Sequence, residues 1–155
     1  MPTVYLETSF VSACITDRTD AGSVYRRQVS LDWWAGQRRR HDVHVSDVVI
    51  AELSHPAYPH REVALAFVED ARVIPVTEEM AGLAEILIRE RVMPGPLGGD
   101  ALHVAAATIA RMEYLLSWNV RHLANPNKLQ HLGIVCLRLG FAPPCIVTPE
   151  NLWET

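Results

Sequence analysis

Five short apolar runs, each followed by a longer patterned segment or a turn, constrain the fold of this chain more than any other feature. Val4–Leu6, Val43–Val45, Val73–Ile74 with Val76, Tyr114–Trp118 and Cys145–Val147 are β-prone stretches. Between them the residues space as helices. Thr8 or Ser9 is placed to cap a helix over Phe10–Ile15, and Gly22–Arg40 carries Trp33 and Trp34 on its apolar side. Ser46 caps Asp47–Leu53, and Arg61–Asp70 follows a proline-rich break. Thr77 opens a helix to about Val92, with Glu78 and Glu79 at the end that favours acids. After a loop over Met93–Gly99 come helices over Asp100–Met112 and Lys128–Leu139, the last stopped by Gly140. Short strands alternating with helices predict βαβ units: an α/β fold whose mainly parallel sheet is covered on both faces. Its crossovers are right-handed. Ligands of such sheets gather at the carboxyl ends of the strands.

The 155 residues, 1–155, suit a single domain. With 49% hydrophobic and 21% charged residues the chain can bury a core without a staple. Three cysteines and no CxxC argue against a disulfide framework or a zinc knuckle. The net charge of −4 offers no global positive field for a polyanion. The first residues lack a basic region leading into an apolar run, and no stretch is apolar enough to span a bilayer. The expectation is a cytoplasmic protein without a membrane partner.

The acids decide where function lies. Glu7 directly follows the first strand, Glu52 sits about two turns into the helix after the second, and Asp100 opens the most apolar helix. Asn119 follows the Tyr114–Trp118 strand. All four fall at one predicted sheet edge, in the apolar contexts VYLE, VVIAEL, DALHVAAA and LLSWN. Unpaired buried carboxylates are costly, and neighbouring ones repel unless a cation neutralises them. All-oxygen ligation suits Mg²⁺ or Mn²⁺. Taken singly, each has a plainer role: Glu7 as a helix-start acid, Asp100 as an N-cap, Asn119 as a turn residue. A metal site is what the four together predict.

These residues resemble the PIN-domain family, and within it the VapC-type toxins of toxin–antitoxin pairs. The family pattern of an acid, Thr and a small polar residue after strand one is matched by Glu7–Thr8–Ser9. Its second acid, in an xxxEL run, is matched by Ile50–Ala51–Glu52–Leu53, and its D-x-x-x-A-A-A helix by Asp100–Ala107. The phrase after a later strand is matched by Leu116–Ser117–Trp118–Asn119–Val120–Arg121–His122–Leu123. The chain departs from the pattern in carrying Glu rather than Asp at 7 and Asn at 119. The resemblance implies a PIN-like three-layer α/β/α sandwich and an Mg²⁺- or Mn²⁺-dependent endoribonuclease acting as a toxin. It implies metal ligation by Glu7, Glu52 and Asp100, with Asn119 positioning the ion or a water. Thr8, Ser9 and Ser117 would support the carboxylates, and Arg121 and His122 would either reach RNA phosphate or belong to a solvated loop. Implied partners are the RNA substrate, a cognate antitoxin and a second copy of the chain.

His103 lies one turn after Asp100 and reads as a satisfied core histidine, with substrate contact as the alternative. Cys14, Cys136 and Cys145 read as buried thiols. Trp33–Trp34 and the Glu78–Val92 helix are the segments expected at interfaces. Two other classes fit the acids: a PIN-like RNA- or partner-binding module without turnover, and a phosphohydrolase of small phosphates. The absence of a D-x-D-x-T motif weighs against the second.

Overall fold

The computed structural model describes residues 1–96 and 99–155. Of the loop expected over Met93–Gly99, Leu97 and Gly98 lie outside the described residues. In chain order the elements are β1 (Thr3–Leu6), α1 (Thr8–Ile15), α2 (Ala21–Gln37), β2 (Asp42–Ser46), α3 (Asp47–Ser54), α4 (Arg61–Phe67) and β3 (Arg72–Ile74). They continue with α5 (Glu78–Arg89), α6 (Asp100–Ile109), β4 (Tyr114–Leu116), α7 (Pro126–Leu139) and β5 (Cys145–Val147).

The strands form one sheet in the order β3-β2-β1-β4-β5, and every pairing is parallel. Helices flank it in the expected α/β/α arrangement. β1 is the middle strand, and its Val4, Tyr5 and Leu6 are fully buried, as a strand covered on both faces requires. From β1 the chain builds outward through β2 to β3, then returns to lay β4 on the other side. The β1/β4 seam is therefore the point where strand order reverses, and such a seam opens a crevice at its carboxyl end. α5 packs against α6. Ala101, Val104, Ala105, Ala106 and Ala107 are buried around most of the α6 circumference, which explains why its sequence is apolar nearly all round. Among the described residues no helix is long and apolar enough to cross a membrane.

Several boundaries differ from expectation for local reasons. β4 stops at Leu116 rather than Trp118, because the Trp118 amide leaves the ladder to donate to Ser9 Oγ at 2.9 Å. α4 ends three residues short of Asp70, where the chain turns back through a bond from Ala71 N to Val68 O. α5 ends at Arg89 because Arg91 takes φ 58°, and the amides of Val92 and Met93 fold back onto Leu87 O. α6 ends the same way, with Arg111 at φ 58° and Met112 N on Ala107 O. α7 begins at Pro126, two residues early, since Asn125 caps it through Asn127 N and Pro sits in the first turn. Arg38–Arg40 tightens into a 3₁₀ turn rather than continuing α2.

Two further expectations are corrected. Trp33 is wholly buried in its own chain, its indole donating to Leu152 O at 2.7 Å, so it cannot anchor an interface. Met80, Leu83, Ala84 and Leu87 of α5 are likewise buried within the chain. Cys14 and Cys136 are buried, but Cys145 is exposed at the start of β5.

Candidate active site

Glu7 leaves β1 and becomes the N-cap of α1, a role expected of Thr8 or Ser9. Its Oε2 accepts from Ser9 N at 2.9 Å, from the Ser9 hydroxyl and from the Ser117 hydroxyl at 3.0 Å. Three donors on one oxygen fix a side chain that is only 6% exposed. Ser117 also accepts from Asn119 N at 2.9 Å, so one hydroxyl ties the end of β1 to the turn after β4.

Glu52 is held differently. His103 Nε2 donates to Glu52 Oε1, and His103 Nδ1 meets the Tyr5 hydroxyl at 2.6 Å. That hydroxyl lies 2.7 Å from Ser46 Oγ, which also caps α3 through Val48 N and Val49 N. Each group has one hydrogen to give when the imidazole is neutral. The chain of donation then runs one way, from Ser46 to Tyr5 to His103 to Glu52. Tyr5, Ser46 and His103 are buried, while the Glu52 side chain is 41% exposed. Burial, the largest influence on Tyr5, pushes its phenol well above the ordinary value. Burial pulls His103 down, but the bond to Glu52 and the charges of Glu7, Glu52 and Asp100 outweigh it, and its pKa is raised. All three carboxylates thus act on one imidazole. His103 is the satisfied core histidine expected, buried with both ring nitrogens partnered, and its bond to Glu52 orients that carboxylate.

Asp100 is the first residue of α6, and the cap position belongs to Gly99, so the capping role weighed for Asp100 does not hold. Its Oδ2 accepts from Asn119 Nδ2 at 3.1 Å, and Asn119 Oδ1 accepts from His122 N at 3.1 Å. Glu7, Thr8, Ser9, Glu52 and Asn119 border one open cleft of about 490 Å³. More of α1, the following loop and α2 also line it, with Arg18 and Arg26. Thr8 Oγ1 is buried at the cleft's edge without a hydrogen-bond partner. Arg121 and His122, expected near the substrate, do not line the cleft.

Sequence reasoning missed Tyr5, Arg18 and Arg26, and saw Ser46 only as a cap. The signal for Tyr5 was a hydroxyl inside an otherwise apolar strand, which must find a partner once buried.

The donors suit a hard divalent ion. Each carboxylate is fixed through one oxygen, while Glu7 Oε1, Glu52 Oε2 and Asp100 Oδ1 accept no hydrogen bond among the described residues. Among the described residues no three His, Cys, Asp or Glu side chains converge to coordination distance. This donor set fits an ion that keeps several waters and takes one or two carboxylates directly, as Mg²⁺ does.

No protein-family model and no curated protein matches the sequence. Solved structures share its fold. The VapC20 toxin of Mycobacterium tuberculosis, which cleaves the sarcin-ricin loop, aligns with TM-score 0.58 and 22% identity over 77% of this chain and 92% of that one. VapBC2 from Rickettsia felis, bound to a DNA fragment from its promoter, aligns with TM-score 0.56 and 16% identity over 94% and 98%. FitAcB from Neisseria gonorrhoeae gives TM-score 0.59 and 12% identity over 97% and 100%. At these identities the likeness is one of fold, and the PIN-like three-layer sandwich is the fold of this chain.

Proposed function

We propose that this chain is a divalent-metal-dependent endoribonuclease and the toxin of a toxin–antitoxin pair. The observation that carries the proposal is the cleft at the β1/β4 seam, bordered by Glu7, Glu52 and Asn119, with Asp100 bonded to Asn119. Glu7, Glu52 and Asp100 would hold Mg²⁺ or Mn²⁺, one or two of them directly through a free oxygen and the rest through the ion's waters. When bound, such an ion makes water easier to deprotonate and offsets charge that builds on the phosphate. The chain's own residues prepare the site. Ser9 and Ser117 keep Glu7 in one rotamer, His103 aims Glu52, and Asn119 bridges Asp100 to the turn after β4. Fixing the ligands beforehand removes reorganisation from the reaction.

The fold shared with VapC20, VapBC2 and FitAcB supports the toxin role, a cytoplasmic workplace, an antitoxin as partner and a second copy of the chain as a dimer mate. The want of three converged ligands among the described residues favours a second reading, a PIN-like module that binds RNA or a partner without turnover. Titrating Mg²⁺ and Mn²⁺ against RNA and against a small phosphomonoester separates the possibilities. Divalent-dependent cleavage of RNA alone is expected. RNA binding without cleavage would favour the module, and phosphomonoester turnover a phosphohydrolase. Light scattering, alone and with the product of the adjacent gene, is expected to give a dimer and then a complex. A monomer that ignores that product would remove the toxin role.

A further inference from the structure

We propose that Arg26, seated on the indole of Trp118, anchors a backbone phosphate of single-stranded RNA in the cleft, with Arg18 as a second, weaker contact. This rests on the ribonuclease reading above and names how the substrate is held. The cleft's charged lining is mixed: Glu7 and Glu52 share it with Arg18, from the loop after α1, and Arg26 of α2. A polyanion approaching a chain of net charge −4 needs local cations, and among the described residues these two are the arginines that line the cleft with the acids.

The two arginines are not equivalent. Arg18 is paired at the surface with Asp20, Nε to Oδ1 3.3 Å, which offsets its charge. Arg26 makes no ion pair among the described residues, and its guanidinium lies 5.9 Å from the Trp118 ring centroid. That contact orients the fork without consuming its charge. The perch is rigid. Trp118 Nε1 donates to Ser30 Oγ at 2.7 Å, and the Tyr25 ring stands edge-on to the indole at 6.5 Å. Trp118 N donates to Ser9 Oγ, whose hydroxyl donates to Glu7 Oε2. The indole on which Arg26 rests is thus tied to the first acid through Ser9. Trp118 is 9% exposed, too covered to stack on a base, so the contact is to the backbone and reads no sequence.

The test is fluorescence anisotropy with labelled oligouridylate and oligoadenylate in EDTA, which keeps binding apart from cleavage, over about 50–200 mM salt. Arg26 is exposed, so its substitution leaves the fold intact. Arg26→Ala should weaken binding of both oligonucleotides alike, by roughly five- to tenfold. It should also make the salt slope shallower by about 0.7, one single-strand phosphate. Arg26→Lys should keep the slope, because the charge remains. Arg89→Ala, on exposed α5 surface, should change neither. An unchanged slope in Arg26→Ala overturns the inference, as does failure of the native chain to bind RNA at about 50 mM salt. So does loss of polyglutamate binding in Arg26→Ala while RNA binding persists, which would make the cleft a peptide site. Arg26-dependent binding by a chain that never cleaves RNA upholds the inference and defeats the ribonuclease reading. Cleavage by a chain whose slope ignores Arg26 does the reverse.

Discussion

Glu7 and Glu52 face the same cleft, yet they are positioned by opposite means. Glu7 is fixed by neighbours: its own helix start, Ser9 two residues on, and Ser117 just after the adjacent strand β4. Glu52 is fixed at a distance, by one donor, His103, itself steadied by Tyr5 and Ser46 from the centre of the sheet. One is nearly buried and has three donors; the other is 41% exposed and has one. A carboxylate with several donors loses little when one is removed, whereas one with a single donor depends on everything behind it. The two halves of the site should therefore respond differently to the same kind of damage.

The largest effect falls on the acids themselves. Glu7→Ala and Glu52→Ala should each lower divalent-dependent RNA cleavage by more than about 100-fold, beyond the cost usual for a ligand's supporting partner. Neither is expected to stabilise the protein by relieving repulsion, because each acid satisfies protein donors. Glu7→Ala removes an N-cap, worth about 1 kcal/mol. Glu52→Ala leaves a buried imidazole N–H unpaired, at about 1–3 kcal/mol. Thermal melts beside cleavage assays check both. A variant that retains cleavage would dismiss that acid from the site.

A smaller effect separates the halves. Tyr5→Phe keeps the ring in the core and deletes only the hydroxyl behind His103. It should slow cleavage by about tenfold, the low end for a supporting partner. Ser117→Ala removes one of three donors on Glu7 and should slow cleavage by about threefold, in keeping with a net hydrogen bond of ~0.5–1.5 kcal/mol. Equal losses, or a greater loss in Ser117→Ala, would break the comparison. His103→Gln, which can still donate to Glu52, should retain more activity than His103→Ala if orientation is what His103 provides.

The contrast also explains what could be read from the sequence. Glu7–Thr8–Ser9 is legible as a helix start because its hydrogen bonds are local, although Glu7 rather than either hydroxyl is the cap. The strands were legible for a similar reason, since β1 is buried on both faces and reads as an unbroken apolar run. His103 was not. Its partner Glu52 is 51 residues away, and only the crossovers that place α6 beside α3 bring them together. Arg26 escaped notice because its importance comes from Trp118, across the β1/β4 seam, rather than from any run of basic residues. The Arg38–Arg40 cluster, conspicuous in sequence, lines a different surface pocket through Arg38.

The smallest effect concerns Asn119, which extends the well-tied half by donating to Asp100 at 3.1 Å. Asn119→Asp is the simplest way to add a metal ligand, but in the metal-free protein it replaces that donor with a second carboxylate. A lost hydrogen bond and a new repulsion should together cost about 1 kcal/mol, lowering Tm by roughly 2–4 °C in EDTA. Adding Mn²⁺ should reverse the order. A cation between the two carboxylates removes the repulsion and gains a charged ligand, so the ion should raise Tm more in the variant than in the native chain. Differential scanning fluorimetry across a Mn²⁺ series measures both terms. If Asn119→Asp is as stable as the native chain in EDTA, Asn119 does not tie Asp100 in place. If Mn²⁺ stabilises both proteins equally, position 119 lies beyond reach of the ion and serves the turn after β4 alone.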